Sequence, residues 1–169
     1  TGITPQIARE KGVIETELAR LIHGEMMEPG TCSAGYNSLR FDDEFSRHIF
    51  YRNFRDPYER EYRNGNSRWD LIDLARMCYA LRPEGVRWPL NDEGNPSFKL
   101  EHLTAENHIA HTGAHDALTD VRATIDLARL LRRSQPRLFD WVLALRDQKH
   151  VIQLLNFVKP EPVVHTSSR

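Results

Sequence analysis

His115 stands five residues ahead of Asp120 in the run His115-Asp116-Ala117-Leu118-Thr119-Asp120, at the head of a long amphipathic stretch. A histidine there can accept a proton beside a carboxylate able to hold a metal ion. Far upstream, Asn37-Ser38-Leu39-Arg40-Phe41-Asp42 sets a second carboxylate just past a short apolar segment. Two hard oxygen ligands and one imidazole are parts used in metal-assisted hydrolysis of phosphodiesters. Helical spacing alone does not join the pair, because five residues are about 1.4 turns and do not share a face. The arrangement works if His115 precedes the helix while Asp120 projects from its body, where an acid also gains from the helix dipole. Taken singly, His115 reads as a capping or surface histidine and Asp120 as a solvated helix-face acid. The pairing with Asp42 and its preceding Phe41 is what favours chemistry.

Several elements are needed to hold these residues. Ile14, Leu18, Leu21 and Ile22 form a helical stripe within Val13–Met27, which Pro29-Gly30 ends. Thr31–Tyr36 is a short strand candidate, followed by a polar turn at Asn37-Ser38, and a second helix spans Asp42–Asn53 with Phe45, Ile49 and Phe50 on one side. Arg55–Arg68 is polar and aromatic, with turn signals at Asp56-Pro57 and Asn64-Gly65-Asn66. A third helix is predicted over Trp69–Leu81, with Leu71, Leu74, Ala75 and Cys78 facing inward. A long loop over Pro83–Ser97, a short helix over Lys99–Asn107 and a long helix over Ala114–Arg133 follow, and Pro136 opens a helix through Leu145. Thr1–Gln6 reads as a turn in mid-protein, and Lys159-Pro160-Glu161-Pro162 as an interdomain linker.

Composition narrows the class. A chain of 169 residues, 40% hydrophobic and 28% charged, builds one core without disulfides. Its apolar runs are too short to cross a bilayer, and Thr1–Gly12 lacks the apolar region of a signal peptide. Cys32 and Cys78 have no metal-site spacing and read as buried free thiols in a reducing, cytoplasmic setting. With a net charge of -1, nucleic acid would have to bind through a local basic face.

Asn37-x-x-x-Phe41-Asp42 resembles the second motif of the DEDDh 3'-5' exonucleases, and His115-x-Ala117-x-x-Asp120 resembles their third. The strings Gly35-Tyr36-Asn37, Arg40-Phe41-Asp42-Asp43-Glu44, Ile49–Phe54, Tyr79–Gly85 and Gln135–Asp140 are similar to a bacterial exodeoxyribonuclease branch of that family, so the likeness covers nearly the whole chain. It implies an α/β, RNase H-like fold, a mixed sheet flanked by helices. It also implies two Mg2+ ions, with Mn2+ as an alternative, held by four acids, and a histidine that takes the proton of the attacking water. Carried onto this sequence, Asp42 and Asp120 are metal-site acids and His115 is the base. The substrate implied is single-stranded DNA, with a single-stranded DNA-binding protein as partner and no membrane.

One departure matters. The family's first motif, Asp-x-Glu on the opening strand, is expected upstream of Thr1. Asp42-Asp43-Glu44 has its letters but begins a helix and follows the second-motif phenylalanine, so it is no replacement. The expectation is therefore an incomplete fold lacking the N-terminal strands. Residues 1–157 are read as the C-terminal part of an exonuclease domain, inactive alone, and residues 158–169 as a linker into a following domain. A catalytically silent nucleic-acid-binding or interaction module of the same fold is the alternative.

Single-stranded DNA needs cations for phosphates and aromatic faces for bases. Arg47 and Arg76 are candidate phosphate contacts, and Tyr58 and Tyr62 a stacking pair at i, i+4 if their stretch is helical. Lys99 stands, by the resemblance, where the family carries a basic substrate-binding residue. Surface salt bridges and partial core packing are the plainer readings of these five. His108, His111 and His115, three and four apart, invite a zinc site, but Thr112 and Gly113 argue against the continuous helix that would align them.

Overall fold

The computed structural model describes residues 2–111, 116–156, 158, 159 and 161–166. The chain divides into two compact units, Thr1–Trp69 and Asp70–Arg169.

In the first unit, helix α1 (Pro5–Lys11) opens on Thr4, whose Oγ1 accepts from the Ile7 amide at 3.3 Å, with Pro5 in the first turn. The turn expected over Thr1–Gln6 is thus corrected: Thr4-Pro5 is a cap followed by a residue with preset φ. Helix α2 (Glu15–Met27) forms where its periodicity predicts, yet it buries only Ala19. Ile14, Leu18 and Leu21 stay exposed, while α2 meets α3 through His23, edge-on to the Phe50 ring at 5.3 Å, and through Glu15, which accepts from Arg52 and Asn53.

Strand β1 (Cys32–Gly35) ends in a turn that needs glycine, since a Cβ on Gly35 would lie 2.6 Å from Ser38 Cβ. Asn37 takes the left-handed φ of 58° that asparagine tolerates, and helix α3 (Asp42–Arg52) follows. Two 3-10 turns, Glu59–Glu61 and Arg63–Gly65, lead into strand β2 (Ser67–Asp70), which pairs with β1. Asn66 clasps the unit: its Oδ1 accepts from the Thr31 amide at 3.1 Å while its Nδ2 donates to the Met26 carbonyl at 2.9 Å.

In the second unit, helix α4 (Leu71–Leu81) is capped by Asp70, which accepts from the Ile72 amide at 3.2 Å. The helix expected from Trp69 starts two residues later, because Trp69 belongs to β2. Leu71, Leu74, Ala75 and Cys78 are buried as the periodicity predicts, and burial pushes the Cys78 thiol up to about 11, which leaves it inert. The Pro83–Ser97 loop is tied down. Trp88 Nε1 donates to the Pro83 carbonyl at 2.9 Å, Leu90 bridges to Pro96, and Gly85 (φ 82°) lies with Ser134 donating to its carbonyl at 2.9 Å.

Helices α5 (Leu100–Glu106), α6 (Ala117–Ser134) and α7 (Pro136–Ala144) pack in sequence, and α4 packs on both α6 and α7. Helix α6 begins after its cap Asp116, whose Oδ1 accepts from the Thr119 amide at 3.1 Å; Ala114 lies outside the described residues. Its inner face is Ala123, Leu127 and Leu131, while Leu118, Val121 and Ile125 are exposed. Helix α8 (Gln148–Leu155), capped by Asp147, was not anticipated. No helix of the described residues is long and apolar enough to cross a membrane.

Candidate metal and nucleic-acid site

Asp42 occupies the exposed first turn of α3 in the first unit. Its neighbour Asp43 points the other way, into the unit, and is buried. Asp43 Oδ1 accepts from Arg60 Nη2 and its Oδ2 from Arg68 Nη1, both at 2.8 Å. Burial alone would raise this carboxyl, but the two guanidinium groups outweigh it and hold Asp43 below the usual carboxylate range. Asp43 is therefore spent on structure. Sequence reading missed the role of Arg60 and Arg68, because nothing local couples residues 17 and 25 positions away.

Arg47 and Tyr58 of this unit are also engaged. Arg47 donates from Nε to Glu61 Oε1 at 2.9 Å, pairs with Glu44, and lies over the Tyr58 ring at 5.0 Å. Tyr58 and Tyr62 flank the Glu59–Glu61 turn and are both exposed, but they lie on a 3-10 turn and not on the α-helix that would stack them at i, i+4.

Asp120 lies in the first turn of α6 in the second unit, with its side chain 39% exposed. Its Oδ1 accepts from His111 Nε2 at 2.7 Å, and the His111 side chain is 7% exposed. His115, the expected base, lies outside the described residues. His108 turns away from His111, with φ 55° and its Nε2 2.7 Å from Arg87 Nη1. His108 and His111 thus have separate partners, and no group of three metal-ligating side chains occurs among the described residues.

Arg76 pairs with Asp73 at 3.1 Å and lies 5.9 Å over the Phe98 ring, beside the Tyr79–Trp88–Phe98 cluster. Lys99 precedes the first turn of α5 without a side-chain bond to it, is exposed, and has no ion-pair partner among the described residues. Of the five candidate substrate contacts, Lys99 is the cation left available for a phosphate.

The donor set fits a hard divalent ion at each acid taken singly. Asp42 and Asp120 are accessible carboxylates in first turns, and Asp120 keeps one oxygen clear of the His111 bond. Each is described within its own unit.

Residues 1–128 match the family model described as Exonuclease. The chain is 54% identical over 167 residues to exodeoxyribonuclease I of Escherichia coli (strain K12), covering 99% of this chain and 35% of that protein. It thus spans about a third of the length of the curated relatives it matches. A crystal structure of E. coli exonuclease I in complex with a dA16 oligonucleotide matches at 55% identity and a TM-score of 0.85, covering 91% of this chain and 33% of that one. A structure described as an ExoI/SSB-Ct complex matches at 55% identity and a TM-score of 0.84, over 91% of this chain and 33% of that one.

Proposed function

This chain belongs to the exonuclease family, and on that premise we propose that it forms part of the catalytic domain of a 3'-5' exodeoxyribonuclease. Its fold is α/β, of the RNase H-like exonuclease type. The substrate is single-stranded DNA, released as mononucleotides, and a single-stranded DNA-binding protein is a partner. The oligonucleotide bound in one neighbour and the SSB-Ct complex of another support these two assignments. The observation that carries the reading is the accessible Asp120 carboxylate at the head of α6, inside the His115-x-Ala117-x-x-Asp120 run.

Asp42 and Asp120 would hold two Mg2+ ions, or Mn2+, which supply charge stabilisation on the reacting phosphate. His115 accepts the proton of the attacking water at its ring nitrogen. The Lys99 ammonium offsets phosphate charge as a point charge, without the bidentate geometry of arginine. Tyr58 and Tyr62 are exposed aromatics that bases could meet singly, Tyr58 with Arg47 already over its ring. Asp42 and Asp120 are two of the four acids such a site uses, so the isolated 169 residues are expected to release no nucleotides.

The test is metal-dependent release of nucleotides from a single-stranded oligonucleotide by the whole protein that carries this chain. Asp120→Asn is expected to lower the rate about 10³-fold, ~4 kcal/mol of transition-state stabilisation. His115→Ala is expected to lower kcat by roughly 10²–10⁴ while DNA affinity holds, because a base acts in the transition state. Wild-type rates in both variants would refute the reading, and equal loss of rate and affinity in His115→Ala would remove that residue from the role of base.

A further inference from the structure

Thr104, His111 and Asp120 form a chain of side-chain hydrogen bonds inside the second unit. His111 Nδ1 lies 2.9 Å from Thr104 Oγ1, and its Nε2 lies 2.7 Å from Asp120 Oδ1. Thr104 is fully buried on α5, the His111 side chain is 7% exposed, and that of Asp120 is 39% exposed. The chain therefore runs from the core to the surface and ends on the acid.

Its polarity follows from the groups involved. An ionised carboxylate only accepts, so Nε2 carries the proton that bonds Oδ1. At the other end, Thr104 Oγ1 lies 2.9 Å from the Leu100 carbonyl, 3.1 Å from the Glu101 carbonyl and 2.9 Å from Nδ1, so its single proton is shared between the α5 backbone and a bare Nδ1. The imidazole is gripped at both nitrogens and cannot flip without losing both contacts.

We propose that His111 is a positioning residue for Asp120: its Nε2–H takes up Oδ1 and fixes the carboxylate so that Oδ2 alone is offered to a divalent cation. This rests on the reading of Asp120 as a metal-site acid. An untethered aspartate in an exposed first turn samples several rotamers and presents either oxygen or both. The bond from a buried donor selects one orientation before the ion arrives. Partners of this kind behind a ligating carboxylate typically change metal affinity 10–100-fold when removed.

The experiment compares His111→Phe and His111→Gln in the whole protein. Phenylalanine fills the volume without a donor, whereas the glutamine amide sets an N–H near the Nε2 position. Mn2+ affinity is measured by electron paramagnetic resonance, together with the Mg2+ concentration for half-maximal nucleotide release. His111→Phe is expected to weaken Mn2+ binding 10–100-fold and to raise the Mg2+ requirement in parallel, with KM for the oligonucleotide unchanged at saturating metal. His111→Gln is expected to recover most of the loss. Unchanged Mn2+ affinity in His111→Phe, with only a lowered melting temperature, overturns the proposal.

Asp120→Asn, measured alongside, separates the two readings. Full Mn2+ affinity in that variant sinks the metal-acid assignment itself. Lost affinity there with none lost in His111→Phe sinks the positioning role alone. Should His111→Phe fail to fold, 15N NMR of the His111 ring in the unsubstituted protein decides. A proton retained at Nε2 with Mg2+ present supports the proposal, and a bare Nε2 overturns it.

Discussion

The two units bury different kinds of side chain. Among the described residues, Thr1–Trp69 buries two apolar side chains, Ala19 and Phe50, alongside Asp43, Arg60 and Asn66. Asp70–Arg169 buries an apolar set that runs through α4, α5, α6 and α7, with Leu74, Leu103, Leu127 and Leu131 at 0% exposure. The first unit is therefore held by directional bonds whose loss strands a charge. The second is held by non-directional hydrocarbon contact. Each proposed metal-site acid stands at a helix start fixed by its own unit's means: Asp42 next to the Asp43 ion-pair network, Asp120 against the His111 ring.

The comparison breaks most readily at Asp43. Asp43→Ala leaves Arg60, 1% exposed and already carrying Nε and Nη1 without acceptors among the described residues, as a buried guanidinium with its short bond removed. Breaking a buried pair from one side costs about 3–5 kcal/mol. The cost is read from urea unfolding, with hydrogen exchange locating the loss in peptides spanning 42–68. The double change Asp43→Leu with Arg60→Met removes both charges and is expected to be near neutral. A cost below about 1 kcal/mol for Asp43→Ala would mean that the network adds no stability and that the contrast between the units is one of composition only.

These two modes of burial also decide what the sequence disclosed. The core of α4 was legible because Leu71, Leu74, Ala75 and Cys78 repeat at helical intervals and are buried at those positions, whereas α6 buries Ala123, Leu127 and Leu131 and leaves the equally apolar Leu118, Val121 and Ile125 exposed. The Asp43–Arg60–Arg68 network was not, because it joins α3, a 3-10 turn and β2 through side chains with no common period. Strand β2 was hidden for a related reason: four residues ending in Asp70 are too few for alternation, and Trp69 fits a helix start as well as a strand. Helices α1 and α8 carried legible caps, Thr4-Pro5 and Asp147, that were passed over for want of a long apolar stripe. At the site, the spacing singled out Asp42 and Asp120, but His111 figured only in a zinc trio. Its bond to Asp120 spans nine residues and depends on the packing of α5 against α6.

Leu127 supplies the matching perturbation of the second unit. It is fully buried on the inner face of α6, so Leu127→Ala removes transfer energy and leaves a cavity, a cost of roughly 2–5 kcal/mol. Hydrogen exchange is expected to rise in peptides of α4, α6 and α7, the helices that pack together there. Because the core is apolar, this cost should be the same at pH 5 and pH 7. A cost that varied across that range would show that charge contributes to the second unit as well, and would erase the distinction between them.

The smallest effect, and the sharpest separation of the units, is expected in acid. Asp43 is held below the ordinary carboxylate range in the folded chain, because hydrogen bonds from Arg60 and Arg68 outweigh its burial. A group with a depressed folded pKa contributes its full stability above its unfolded value, about 3.9, and loses it as pH falls through the folded value. The first unit should therefore hold its protection from pH 7 to about pH 4 and lose it progressively below. In the second unit Asp116 is also held down, by the Thr119 amide and hydroxyl at the head of α6, but it is fully exposed and its bonds exchange readily with water. Fraying of that first turn is the expected acid response there, while the apolar core beneath stays closed. Hydrogen exchange quenched after labelling at pH 5, 4 and 3 should show peptides of 42–68 opening before those covering α4 and the C-terminal half of α6. Simultaneous opening would mean that the carboxylates of the first unit do not set its acid limit, and that its buried arginines are held by something other than Asp43.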